Sequence, residues 1–408
     1  MNNPRVLYIS YDGLTDPLGQ SQVLPYLIYL SNLKYEITIL STEKEENFQK
    51  RRDIISSICN NAGIKWTYVF YTKSPPILST IKDVINLRKK SKELQKQYLF
   101  KIIHCRSYIA SLVGLFIKKK FGIKFIFDMR GFWADERVDG GIWNLKNPIF
   151  KIVYKFFKKK EKLFILSADA IISLTHNAKN EIKSWGYFKD KEDNITVIPC
   201  CADLNHFNYT NASSGDFVKE KLGIPKGDKI LVYLGSIGTW YMLDEMLDYF
   251  KSHLKVHPNT SFLWITKDDP EIILRTAERF GVNDKIFIRG AERQELPTVL
   301  SICDASIFFI KPLFSKKASS PTKKAELLGM GIPIICNGNV GDTEEILKKE
   351  KAGIVVNVFD KENYTAVAEK FDELCASNKE HLRNVAKKHF SLEDGVKRYS
   401  SVYKSLLS

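Results

Sequence analysis

The stretch Ser319-Ser-Pro-Thr-Lys-Lys-Ala-Glu-Leu-Leu-Gly-Met-Gly-Ile-Pro-Ile-Ile-Cys336 reads as a capped helix, a glycine-containing turn and a buried strand. Ser320 suits the cap, and Pro321 suits the first helical turn, where its missing N–H costs nothing. The bare N–H groups of such a helix start favour an anion. Lys323 adds a cation beside them. Glu326, one turn on, can accept two sugar hydroxyls as a bidentate hydrogen bond. The plainer alternative is that both charges lie on a solvated face.

The same alternation extends outward in both directions. Short apolar runs at 5–10, 37–41, 65–70, 102–105, 124–128, 170–174 and 196–199 are separated by amphipathic stretches, including helices over 23–33 and 77–98. A second series runs through 229–235, 261–266, 285–289, 305–310, 333–336 and 353–356, and helices over 361–376 and 392–407 close the chain. This is βα repetition, so the fold class is α/β with parallel sheets. Residues 205–228 are rich in Asn, Ser, Gly and Lys. The expected division is therefore a domain over 1–199, a connection over 200–228, a domain over 229–388, and a helix over 389–408 packing back on the first domain. Both domains are expected to be Rossmann-like, doubly wound and turned toward a central cleft.

Composition narrows the partners. Of 408 residues, 44% are hydrophobic and 27% charged, which excludes wholesale disorder, collagen and a small disulfide scaffold. Lys and Arg number 62 against 47 Asp and Glu, a net +15. That points to an anionic partner: nucleic acid, an acidic membrane surface or a phosphorylated small molecule. No apolar run approaches the ~20 residues a bilayer span needs. The opening residues read as a strand rather than a signal peptide. The seven cysteines form no C-x-x-C pair and read as reduced core thiols of a cytosolic protein.

Two glycine-rich turns precede helices and suit phosphate. One is Asp16-Pro-Leu-Gly-Gln-Ser-Gln22, with Gly19; the other is Gly235-Ser-Ile-Gly-Thr-Trp240, with Gly235 and Ser236. Neither is a dinucleotide fingerprint or a Walker loop, and either serves equally as turn punctuation.

With Gly341-Asp-Thr-Glu-Glu-Ile346 after it, the stretch 319–336 resembles the donor-binding signature of the family-4 retaining glycosyltransferases of the GT-B fold. Val197-Ile-Pro-Cys-Cys-Ala-Asp-Leu-Asn-His-Phe207 resembles that family's interdomain motif. Residues 5–41 resemble its opening βαβ unit, and Phe287-Ile-Arg-Gly290 through Pro312 the segment before the signature. The resemblance implies a nucleotide-sugar donor of UDP or GDP type, held by Gly19, Gly235, Ser236, Arg289, Ser320, Pro321, Thr322, Lys323 and Glu326, with Glu326 on the ribose. It also implies catalysis without a metal or other cofactor, in keeping with the absence of D-x-D from the chain. Two positions depart from the pattern. Glu326 matches the second of the family's two glutamates, but Ala318 stands where the first would be. The Gly235 loop also lacks the family's basic residue, a charge that Lys267, Lys311, Lys316, Lys317 or Lys323 can supply. Lys323 is preferred because it lies inside the matching motif.

The resemblance places the acceptor in the first domain. There Asp128, Arg130, Trp133, Asp135 and Glu136 follow a strand, and His104 and Arg106 end another. Asp128 suits a proton acceptor or sugar contact, Arg106 and Arg130 suit phosphate, and bridging between loops is the plain alternative. Asp128, Arg130 and Lys323 are the catalytic candidates, in a front-face retaining hexosyl transfer that needs no enzyme nucleophile. Residues 147–165 interleave aromatic residues with six lysines, which suits an anionic leaflet and a lipid-diphosphate-linked or other saccharide acceptor. The resulting expectation is a cytoplasmic enzyme, peripheral on the inner face of the plasma membrane, in polysaccharide or lipopolysaccharide assembly. The competing reading is a basic nucleic-acid-binding protein without activity, but no nucleic-acid-binding motif is present, so nucleic acid is not an expected partner. A sugar epimerase or phosphorylase of the same fold is a third reading.

Overall fold

The computed structural model describes residues 3–188, 192–212 and 215–408. The chain forms two compact units, Met1–Pro199 with Leu392–Ser408, and Cys200–Ser391.

The first unit holds a seven-stranded sheet: β1 (Arg5–Ser10), β2 (Glu36–Glu43), β3 (Lys65–Phe70), β4 (Ile102–Arg106), β5 (Lys124–Asp128), β6 (Ala170–Ser173) and β7 (Ile195–Val197). Its order is β3-β2-β1-β4-β5-β6-β7, with every pairing parallel. The order reverses at β1, so the carboxyl ends of β1 and β4 flank a crevice where such sheets bind ligands. Register aligns Ser10 with Arg106, and Arg106 with Asp128, along that edge.

The second unit holds β8 (Lys229–Leu234), β9 (Thr260–Ile265), β10 (Ile286–Arg289), β11 (Ala305–Phe308), β12 (Ile334–Asn337) and β13 (Gly353–Val356). They pair in parallel in the order β10-β9-β8-β11-β12-β13, again with a reversal at the first strand. Both units are Rossmann-like. Helices cover both faces of such sheets, so the central strands read as unbroken apolar runs. Residues 230–234 are all buried, with Tyr233 and Trp264 among the largest enclosed side chains.

The segment 200–228, read as a connection from its polar composition, belongs to the second unit; its residues 213 and 214 lie outside the described residues. Val218 and Ile224 enter that unit's core. Arg383 holds the segment from beneath. Its guanidinium donates to the carbonyls of Leu204 (2.6 Å), Phe207 (2.7 Å) and Gly329 (2.9 Å). The chain returns to the first unit as the helix Leu392–Leu407, which packs on the helix Leu24–Asn32. There Arg398 donates to the Val197 carbonyl at 3.0 Å, and Tyr399 meets the Tyr26 ring edge-on.

Two helices differ from the sequence reading. The first loop contains the short helix Pro17–Gln22, ahead of Leu24–Asn32. The stretch 361–376 is broken at Lys370 (φ −91°, ψ 2°) into Lys361–Glu369 and Phe371–Cys375.

Candidate active site

At the carboxyl edge of the second sheet, Gly235 follows β8 with φ +118°, a conformation open to glycine and strained for other residues. A Cβ on Gly235 would stand 3.0 Å from the Lys323 Nζ. Lys323 comes from the helix Thr322–Gly329, so the preferred lysine and the glycine turn meet. Its ammonium is enclosed by rings: Tyr241 at 3.8 Å, Tyr233 at 4.1 Å and Phe308 at 5.8 Å from the centroids. Nζ is buried and has no hydrogen-bond partner. Burial pushes the Lys323 amine well below the ordinary lysine range, against the pull of Glu326. Ring faces offset part of that desolvation, about 0.5–2 kcal/mol each, but they do not replace an acceptor for its N–H bonds.

Glu326 lies one turn along the same helix, 7% exposed, and accepts from Arg293 Nη1 at 2.9 Å. The Arg293 guanidinium lies 5.0 Å from the Phe207 ring centroid. Sequence reasoning missed Arg293, since nothing local marks one exposed-looking arginine as the partner of a glutamate far along the chain. Pro321, rather than Ser320, occupies the helix cap (φ −61°, ψ 120°). Ser320 turns instead to the 200 segment, where its Oγ accepts from the Cys200 N–H at 3.2 Å. Thr322 opens the helix, and Ala318 is buried in a short 3-10 turn.

Ser236 is exposed beside Gly235, and Ile237 N–H donates to Asp268 Oδ2 at 2.6 Å. Asp268 thus ties the glycine loop to a cleft of about 550 Å³ at the ends of β9 and β10, lined by Thr266, Lys267, Arg289, Gly290 and Glu292. Arg289 reaches this cleft, but its guanidinium is paired with Glu295 at 3.0 Å. Lys267 is likewise paired with Glu292 at 2.6 Å, and Lys316 lies 3.5 Å from the Trp240 ring centroid. Of the lysines considered for the missing charge, Lys323 stands against Gly235 and has no acceptor.

The first unit treats its candidates differently. Asp128 is fully buried. Its Oδ2 accepts from the Tyr399 hydroxyl at 3.0 Å and meets His104 Nε2 at 3.3 Å. His104 Nδ1 lies 2.7 Å from the Tyr403 hydroxyl. Burial holds His104 below its usual range, so the ring is neutral. An ionised Asp128 only accepts, which puts the proton on Nε2 and makes Nδ1 the acceptor for Tyr403. Burial works against Asp128 ionising, but Arg130, His104 and Arg106 outweigh it and keep the carboxyl below the usual carboxylate range. Both its Oδ2 partners come from buried side chains, His104 and Tyr399. Through Oδ2 the residue locks the helix Leu392–Leu407 to the sheet, and its Oδ1 stays without a partner. Replacing Tyr403 with phenylalanine is expected to cost about 1 kcal/mol, read as a lower urea midpoint with an unchanged slope.

Arg106 donates from Nε to Asp12 Oδ2 at 3.1 Å, and its Nη1 is buried without a partner, as is Asp128 Oδ1. Arg130 follows β5 with φ +56°, its charge felt at Asp128, His104 and Tyr399. Asp135 is not available to an acceptor: Tyr154 and Lys158 both donate to it at 2.8 Å, fastening the helix Pro148–Ser167. Trp133, half-buried, stacks on Tyr108 and packs against Trp143 and Phe157. At Gly19, in the short helix Pro17–Gln22, a Cβ would stand 2.1 Å from the Gly13 carbonyl oxygen, so close packing alone calls for glycine there. Glu43, which sequence reasoning passed over, anchors the same loop by accepting from Leu14 N–H at 2.7 Å and Thr15 N–H at 3.2 Å.

Residues 23–206 match the family described as Glycosyltransferase Family 4, and residues 215–389 match Glycosyl transferases group 1. The chain is a family-4 glycosyltransferase of the GT-B fold. No curated protein matches this glycosyltransferase in sequence. Its fold is similar to that of a glycosyltransferase from Rickettsia africae ESF-5, with 18% identity, a TM-score of 0.74 and both chains wholly covered. It is also similar to Anabaena Alr3699/HepE, solved in complex with UDP-glucose, at 11% identity and a TM-score of 0.71 over 98% of this chain and 99% of that one. WaaG, a glycosyltransferase involved in lipopolysaccharide biosynthesis, follows at 13% identity and a TM-score of 0.67 over 96% and 98%. Among the described residues of this glycosyltransferase, no helix is long and apolar enough to cross a membrane. Nor, among them, do three His, Cys, Asp or Glu side chains group as metal ligands.

Proposed function

We propose that this glycosyltransferase moves a sugar, with retention of anomeric configuration, from a nucleotide-diphosphate donor of UDP or GDP type to a glycan or lipid-linked saccharide. The setting proposed is cell-surface polysaccharide assembly, by a cytoplasmic protein held peripherally on an anionic membrane surface. The observation that carries this reading is the partnerless Lys323 amine against Gly235, with Glu326 one turn away on the same helix. A diphosphate at Lys323 supplies the missing acceptor, and the adjoining ribose meets Glu326. The donor's C1–O bond breaks, and its electron pair leaves with the diphosphate. The acceptor oxygen bonds C1 from the same face, and its proton passes to the departing diphosphate oxygen. Fixed positive charge where negative charge develops does the work of a metal. HepE's complex with UDP-glucose and WaaG's part in lipopolysaccharide biosynthesis support the donor class and the setting. The unpartnered Nη1 of Arg106 supports a phosphate-bearing acceptor.

A thermal-shift panel of UDP-, GDP-, dTDP- and CMP-sugars, with and without EDTA, tests this. A matching donor at about a hundred times its Kd stabilises by about 2.7 kcal/mol, a rise of several degrees. The expected result is a rise with one nucleoside diphosphate sugar, unchanged by EDTA. No rise with any donor removes the donor site, and a rise that EDTA abolishes removes metal independence.

A further inference from the structure

Two helices of the first unit turn an apolar stripe to solvent. In Leu78–Tyr98 it is Leu78, Ile81 and Ile85; in Pro148–Ser167 it is Ile149, Ile152 and Phe156. All six are between 44% and 68% exposed. Spacings of three and four place each set on one helical face. Single exposed apolar residues are ordinary, whereas aligned stripes of them mark an interaction surface.

Lysines border both stripes. Lys82 and Lys89 are exposed along the first, and Lys151, Lys155, Lys159 and Lys162 along the second. The single carboxylate of Pro148–Ser167, Glu161, is buried and taken by Lys158 and Tyr108. On Leu78–Tyr98, Asp83 is buried against Tyr11 and Thr72, and Glu93 pairs with Lys90 farther along. Neither stripe carries a free acid beside its apolar residues.

The two helices share one face of the sheet, because both pack on the helix between them, Ser107–Phe121. Arg88 donates to the Leu112 carbonyl at 3.3 Å and lies over the Phe116 ring, while Phe164 meets the Tyr108 ring edge-on. Both also start at the carboxyl edge of the sheet, one after β3 and the other after β5, where Arg106 ends β4.

We propose that the stripes of Leu78–Tyr98 and Pro148–Ser167 form one docking surface for an anionic phospholipid bilayer, with apolar side chains at the acyl boundary and lysines on headgroup phosphates. The proposal rests on the peripheral-membrane reading above and adds the second helix to it. A second copy of this chain fits poorly, since it would oppose lysine to lysine. An anionic leaflet complements both parts of the pattern.

The test is flotation with vesicles of phosphatidylcholine alone or mixed with phosphatidylglycerol, using the full chain and two double variants, Ile81→Glu with Ile85→Glu and Ile152→Glu with Phe156→Glu. Every altered side chain is exposed, so an unchanged melting temperature checks folding. The wild type is expected to float with the anionic vesicles alone and to be released by salt, and each variant to bind at least about tenfold more weakly. Loss confined to the 152/156 variant overturns the two-helix surface while leaving the membrane reading intact. No flotation of the wild type overturns both. A self-association or RNA affinity that the same variants abolish overturns the bilayer as occupant.

Discussion

Glu326→Ala is expected to weaken binding of the donor nucleotide by about 10- to 150-fold, the loss of hydrogen bonds to a carboxylate worth about 1.5–3 kcal/mol. Glu326 is 7% exposed on the helix Thr322–Gly329 and accepts from Arg293 at 2.9 Å through Oε1. The alanine variant also leaves that guanidinium without its partner, which mixes a local effect with the loss of ribose contacts. Glu326→Gln separates the two. Its carbonyl oxygen can still accept from Arg293, and its amide can serve one ribose hydroxyl, so an intermediate loss is expected. Isothermal titration with the nucleoside diphosphate found by the thermal-shift panel reads both variants. Unchanged affinity in Glu326→Ala would end the ribose assignment, and an equal loss in the two variants would show that charge rather than hydrogen bonding is what the ribose needs.

The fold was legible because its signal is local. A run such as Ile230-Leu-Val-Tyr-Leu234 is apolar at every position, since helices cover both faces of the sheet. The polar segment 200–228 hid its membership of the second unit, because its anchors are scattered core residues, Ala202, Leu204, Phe207, Val218 and Ile224, and an arginine that arrives only at Arg383. Of the donor-side candidates, the structure brings Gly235 and Lys323 together from two separate motifs. Gly235 and Lys323 meet because β8 and β11 are neighbours in the sheet. The surroundings of the acceptor-side carboxylates were not legible in the sequence. Asp128 and Asp135 follow a strand, as catalytic acids do, but their partners arrive from helices elsewhere: Tyr399 from the last helix, Lys158 from the basic one. A sequence shows that a carboxylate is present; only the tertiary structure shows which partners it meets. Tyr399 and Tyr403 gave one clue, an i,i+4 pair on one face of the closing helix.

Lys323→Met is expected to lower kcat by about 10²–10³-fold, the usual cost of removing one fixed donor from developing negative charge. The nucleotide's Kd should rise much less. The reason lies in where the amine is kept before the donor arrives. Rings of Tyr233, Tyr241 and Phe308 surround Nζ, and no protein acceptor reaches it. Burial holds its proton loosely, well below the ordinary lysine range. Charge that accumulates on the diphosphate as the sugar bond breaks strengthens the ammonium's interaction more than the ground-state phosphate does, so the transition state gains most. Methionine keeps the stem's bulk inside the ring cage and removes only the charged head, which guards against collapse of the cage. The pattern separates two roles: kcat and kcat/KM falling together, with nucleotide Kd nearly constant, mark an interaction made in the transition state. If Kd and turnover deteriorate equally, Lys323 merely grips the diphosphate. If neither moves, the amine is a buried structural lysine, and the charge opposite the Gly235 turn must come from elsewhere.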